Sequence, residues 1–332
     1  MADPDVAAAI PDLVRAGVLE PPTAARLLRP ARGELVSVRA ELRALFYLGA
    51  LAVAGGVSLL LRENLDRIGP TAIAAAVVLA AAACLAWVER RSPPFSWDRV
   101  SSPHLAFDYV LLLGMLLLAA DLAFVEVKFA ALGENWPWHL LLVSLLYAGA
   151  ALRYDSRLLF SLALGAFAAW RGVAVGPASA ERWLWHGIES AVRINALGVG
   201  LLFLGLGVAL RRARRKPHFE PVATWLGWLL VLGGLFSGSV SSGGGDGVRW
   251  IEWIGWTLGL CLVGASLAAG AFRARRFGLL ALGVAAAYVG LTRFVVEALG
   301  EAFQLGCLWF AASSVGVVLL LLFLHRRLRA AR

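Results

Sequence analysis

Two charged side chains stand where hydrocarbon is expected: Asp121 in "LLLAADLAFVEV" and Arg293 in "YVGLTRFVVEALG". An ionisable group inside an apolar run costs roughly 2.5 to 3.5 kcal/mol on insertion scales, so each needs a partner, water or a task. Their depths from the run ends agree within about one helical turn, which predicts that they pair. Glu297 and Glu301 follow Arg293 at i+4 and i+8 and extend a charged stripe along one helix face. Such a pair is either a buried ion bridge that fixes helix register or the lining of a polar cavity for a substrate or protons. Asp108 lies four residues after His104 and forms a smaller pair of the same kind. A third cluster is "LLLRENLDRIGP", where Asn64 and Asp66 favour a tight reversal and Pro70 is placed to open the next helix.

Other chemistry lacks its residues. The five histidines are scattered without HExxH spacing, and the chain has no Walker loop and no GxSxG. Cys84, Cys261 and Cys307 fall in apolar segments without CxxC spacing, as small core residues do. The expectation is a protein with no enzymatic activity, no metal and no cofactor.

The elements that hold these residues are membrane spans. A chain of 332 residues that is 60% apolar and 16% charged, with mean hydropathy +0.75, has the composition of a bilayer protein. Apolar runs of about 20 residues, each enough for a hydrocarbon core of roughly 30 Å, follow one another. We read about ten spans: Ala44 to Leu61, Thr71 to Val88, Leu105 to Val125, Trp138 to Leu152, Leu158 to Trp170, Ile194 to Leu210, Val222 to Val240, Ile251 to Phe272, Phe277 to Ala298 and Phe303 to Leu324. The fourth and fifth are short, and the number falls to eight if they do not cross. The expected fold is an all-α polytopic bundle preceded by a helical hairpin and linker over residues 1–43, with the membrane domain over 44–332.

Arginine and lysine orient the spans. The N-terminal segment, the even-numbered links and the tail carry 23 basic residues, and the odd links with span nine carry 8. Positive flanks are retained in the cytoplasm, so both termini are expected on the cytoplasmic side of a bacterial plasma membrane. Basic runs at Arg211, Arg212, Arg214 and Arg215, and at Arg326 and Arg327, are then expected to touch anionic lipid rather than nucleic acid. Trp136, Trp138, Trp170, Trp183, Trp185, Trp250 and Trp253 mark the outer interface, and Trp87 and Trp97 the inner one. Gly255xxxGly259 and Gly205xxxAla209 read as sites of close helix approach.

"LVRAGVLEPPTAARLL" reads as two short helices, the first stopped by Gly17 and the second started by Pro21 and Pro22. Its apolar residues Leu13, Val18, Leu19, Ala25 and Leu28 pack on the membrane domain or receive a cytoplasmic protein partner. "LGALAVAGGVSLLLR" and "LGVGLLFLGLGVALR" align without gaps, and each precedes a helix opened by a proline. The match is compatible with inverted halves over 44–170 and 194–324, as in many transporters, or with chance between Gly- and Leu-rich spans.

The hairpin, followed by "YLGALAVAGGVSLLLRENLDRIGP", resembles the uncharacterised bacterial membrane-protein family known as domain of unknown function 2157. That family shows a Gly-rich first span ending in an Asn-aromatic-Asp turn; Asn64 and Asp66 match it, and Leu65 stands where the aromatic would be. The resemblance implies a polytopic membrane protein and supplies no catalytic residues. A secondary transporter or permease for a small molecule or ion is the expected function, and a non-transporting scaffold or sensor with a recruiting hairpin is the alternative.

Overall fold

The computed structural model describes residues 4–31, most of 44–59, 69–98, 100, 105–130, 132–172, 190–241, 247–299 and 303–330. Among them it is helical throughout, with turns and no strand. The chain divides into two compact units, residues 1–91 with 103–121 and residues 92–102 with 122–332.

The first unit begins with α1 (Pro4–Arg15) and α2 (Pro21–Ala31). Gly17, at φ 71°, takes the left-handed turn that ends α1, and Pro21 opens α2 as the sequence predicts. The hairpin has its own small core of Ile10 and Ala24, with Val14 and Leu28 against them. Those residues repeat at i+4 on each helix, so they share one face. Of the apolar face expected from sequence, Leu28 belongs to this core, whereas Leu13, Val18 and Ala25 point outward. Pro70 does open the next long helix, α3 (Pro70–Arg91), whose buried residues Ile73, Val77 and Ala81 form a stripe at four-residue spacing. Leu117 of α4 (Leu105–Phe129) packs on that stripe. Gly114 brings α4 against Cys84, where a Cβ would stand 2.9 Å from its neighbour.

The second unit takes over α4 after Asp121 and continues with α5 (Trp138–Tyr154), α6 (Arg157–Trp170), α7 (Ser190–Ala213), α8 (Glu220–Ser241), α9 (Gly247–Arg273), α10 (Phe277–Leu299) and α11 (Phe303–Ala330). Consecutive helices pack as pairs, α5 on α6, α7 on α8 and α9 on α10, with α8 also against α6, α9 and α10. Val231, Leu232 and Leu235 of α8, Leu260 and Leu267 of α9, and Leu279 and Leu280 of α10 form the core. Leucines such as Leu201, Leu229, Leu262, Leu291 and Leu319 face outward, the arrangement of a bundle whose solvent is lipid.

Seven helices among the described residues are long and apolar enough to cross a membrane. At 1.5 Å per residue, the 17 residues of α5 and 14 of α6 reach only about 26 and 21 Å, short of a hydrocarbon core of about 30 Å. These are the fourth and fifth expected spans. Residues 44–59 carry shorter helical stretches where the first was read.

Glycine, not leucine, sets the helix spacing, mostly at positions other than those expected. Gly205 and Gly255 have open space where a Cβ would go, whereas at Gly259 of the expected motif a Cβ would meet Leu235 at 3.3 Å. The close approaches lie on the opposite faces, at Gly200 and Gly207 against α8 and at Gly264 and Gly290 of the α9–α10 seam. Lipid chains are as apolar as leucine, so van der Waals contact between backbones, rather than hydrophobic drive, holds such seams.

Candidate functional site

The sequence-predicted residues fall into three groups. Asn64, Asp66, His104 and Glu301 lie outside the described residues. Asp108 and Asp121 belong to the first unit, and Arg293 and Glu297 to the second. Asp121 is 5% exposed, and its Oδ1 has no hydrogen-bond partner among the described residues. Asp108 is half-buried near the start of α4 and does have a partner. On α10, one Arg293 Nη2 donates to the Ser239 carbonyl at 3.4 Å, at the closing end of α8, while its Nε is buried without a partner among the described residues. Glu297, one turn further on, is exposed. On another face of that helix Tyr288 shares hydrogen bonds with Ser313 at 3.0 Å and Ser314 at 3.1 Å and ties α10 to α11. Of the expected interface tryptophans, Trp136, Trp138 and Trp250 are exposed. Trp253 departs from them: it is 2% exposed and meets Phe294 edge-on at 5.2 Å.

The densest polar cluster of the second unit is one that sequence reading missed. The α5–α6 connection is two residues long, Asp155 in the left-handed region at φ 62° and Ser156 capping α6 by accepting from the Leu159 N–H. The α7–α8 connection also turns through a left-handed residue, Lys216 at φ 46°, before Pro217 starts a short 3-10 turn. Lys216 Nζ donates to Asp155 Oδ1 at 2.9 Å, and His218 Nε2 lies 2.8 Å from the same oxygen. The Val100 N–H donates to Asp155 Oδ2 at 2.6 Å. The three side chains are 1% (Lys216), 4% (Asp155) and 5% (His218) exposed.

The segment before α4 is drawn over this cluster. The Lys216 N–H donates to the Trp97 carbonyl at 3.0 Å, and Arg153 donates to the Pro93 carbonyl at 3.1 Å. Arg215 stacks 4.6 Å from the centre of the Trp97 ring, and Phe95 meets Trp97 edge-on at 5.1 Å. An acid, an amine and an imidazole within 3 Å would suit proton transfer if a substrate reached them. At this degree of burial, with the carboxylate occupied on both oxygens, they make a clasp joining three connections. Lys216 thus departs from the surface run "RRARRK" in which it stands. One sequence signal marked it: only two of the 31 basic residues are lysines, and this one precedes a proline.

Next to the clasp, Glu220 opens α8 and its carboxylate accepts from Arg276 Nη1 at 2.8 Å and Nη2 at 3.2 Å. Thr224, one turn on, donates to the same carboxylate at 3.3 Å. A carboxylate in the first turn also complements the positive end of the helix dipole.

Long apolar helices with their leucines outward and ion pairs gathered at helix ends define a polytopic all-α integral membrane protein. Residues 11–160 match the model of a family of predicted membrane proteins, domain of unknown function 2157. The matched stretch runs from the hairpin into the first turn of α6, so it contains Asp155 but not Lys216. Neither a curated protein nor a solved structure matches the chain.

Proposed function

We propose that the protein is a secondary transporter or permease for a small molecule or ion, without enzymatic activity, in which the Asp121 carboxylate takes up the coupling proton or cation. One observation carries the reading: a carboxylate 5% exposed in a long apolar helix, with an oxygen that no described residue satisfies. A group of that kind is expensive inside a bilayer and marks ion pathways more often than it serves packing. The excess of basic residues on one set of links, 23 against 8, supports insertion in a bacterial plasma membrane with both termini cytoplasmic.

Proteoliposomes loaded with a pH-sensitive dye test it. Imposed sodium or potassium gradients should change the internal pH with the wild-type protein and not with Asp121→Asn, which keeps the shape and removes the ionisable group. A wild-type protein that moves neither protons nor cations, or an Asp121→Asn variant as active as wild type, would remove the reading.

The exposed Leu13, Val18 and Leu27 of the hairpin favour a second reading, a scaffold or sensor that recruits a cytoplasmic protein. Crosslinking from Val18 in whole cells should then give one discrete adduct. A hairpin without that role should give none.

A further inference from the structure

One end of the second unit carries two arginine-rich connections, Arg211 to Lys216 and Arg273 to Arg276, and the carboxylates beside them are engaged, Asp155 by Lys216 and Glu220 by Arg276. Between these connections lies an open cleft of about 280 Å³. Arg211 and Arg276 line it beside Trp228, Leu267, Gly270 and Leu279. The walls are hydrocarbon and indole, and the polar groups are cations. Ser266 also lines the cleft, but its hydroxyl is bonded to carbonyls of its own helix. Glu220 holds Arg276 through two hydrogen bonds, which leaves three of the five guanidinium N–H groups for another acceptor. Arg211 is exposed and has no acidic partner among the described residues.

We propose that this cleft binds an anionic phospholipid, its phosphate between Arg211 and Arg276 and an acyl chain along Trp228, Leu267 and Leu279. The charges choose an anionic headgroup over a zwitterionic one, because no carboxylate among the described residues lines the cleft to receive a choline or an amine. The apolar walls choose a lipid over a soluble phosphate. Gly270 leaves room for the chain: a Cβ there would meet nothing within 4 Å. The fixed Arg276 separates this site from the diffuse attraction that the flexible basic side chains exert on any negative surface. The inference stands apart from transport through Asp121.

Native mass spectrometry of the whole protein with phosphatidylglycerol and with phosphatidylcholine of identical chains provides the test. Wild type should retain one phosphatidylglycerol at concentrations where phosphatidylcholine is lost. Arg211→Gln should weaken that retention about fivefold, the scale of one arginine at an anionic surface. Gly270→Leu fills the cleft from an open position and should weaken it at least as much, whereas Arg326→Gln with Arg327→Gln should leave it unchanged. Equal retention of the two lipids would overturn the proposal, as would an equal loss from the Arg326 and Arg327 variant. Displacement of the lipid by an equal concentration of glycerophosphoglycerol, the headgroup without chains, would make it a soluble-phosphate site and overturn it too.

Discussion

Replacing Lys216 with methionine is expected to destabilise the protein by about 3 to 5 kcal/mol, the range for breaking one side of a buried ion pair. Methionine keeps most of the length of the side chain, and the left-handed backbone at φ 46° is no harder for it than for lysine. What goes is the ammonium, so the Asp155 carboxylate, 4% exposed, is left with His218 and one backbone N–H. Asp155→Asn should give a loss of similar size for the converse reason: the amide tolerates φ 62° and still accepts from Val100, but it strands a lysine 1% exposed. The double variant should fall well short of the sum of the two single losses, because neither charge then lacks its partner. Denaturant unfolding of the four proteins in one detergent, followed by tryptophan fluorescence, measures the cycle. Additive losses would mean that the two side chains do not act as a pair.

The second large effect is expected where helices touch through glycine. A Cβ at Gly283 would stand 2.6 Å from the Ala268 nitrogen and 2.7 Å from the Gly264 oxygen, and one at Gly264 would stand 2.6 Å from the Ala287 nitrogen. These obstacles are backbone and cannot rotate away, so α9 and α10 must separate along the seam. Gly283→Ala should therefore cost about 1 to 3 kcal/mol, and Gly283→Leu more, despite the better helix propensity of both residues. Gly205→Ala and Gly255→Ala, with open space at the new atom, should be neutral or gain about 0.5 to 1 kcal/mol. Thermal unfolding of the four variants side by side decides it. Equal behaviour at Gly283 and Gly205 would show that the seam is not closely packed.

What sequence could and could not show divides along physical lines. Hydropathy reports the solvent of each segment, which is why the long helices from Pro70 onward and the proline and glycine punctuation at Gly17, Pro21 and Pro70 were readable. It does not report which side of a helix faces a neighbour when every side is apolar. Gly205 and Gly207 differ by two residues, yet only Gly207 meets α8, and Trp253 turns inward beside an outward Trp250. The clasp was hidden for another reason: Asp155 and Lys216 stand in separate charged links, each of which reads alone as ordinary interface. Arg293 was recognisable as unusual, but its acceptor, the backbone carbonyl of Ser239, has no sequence signature.

The clasp also sets an order of events during synthesis. Asp155 leaves the ribosome 61 residues ahead of Lys216, a delay of roughly 3 to 12 s at ordinary elongation rates. Throughout that interval α5 and α6 pack on each other without the Lys216 ion pair. Only when the connection after α7 emerges can Lys216 reach Asp155, so the clasp closes after both helices that it holds have been made.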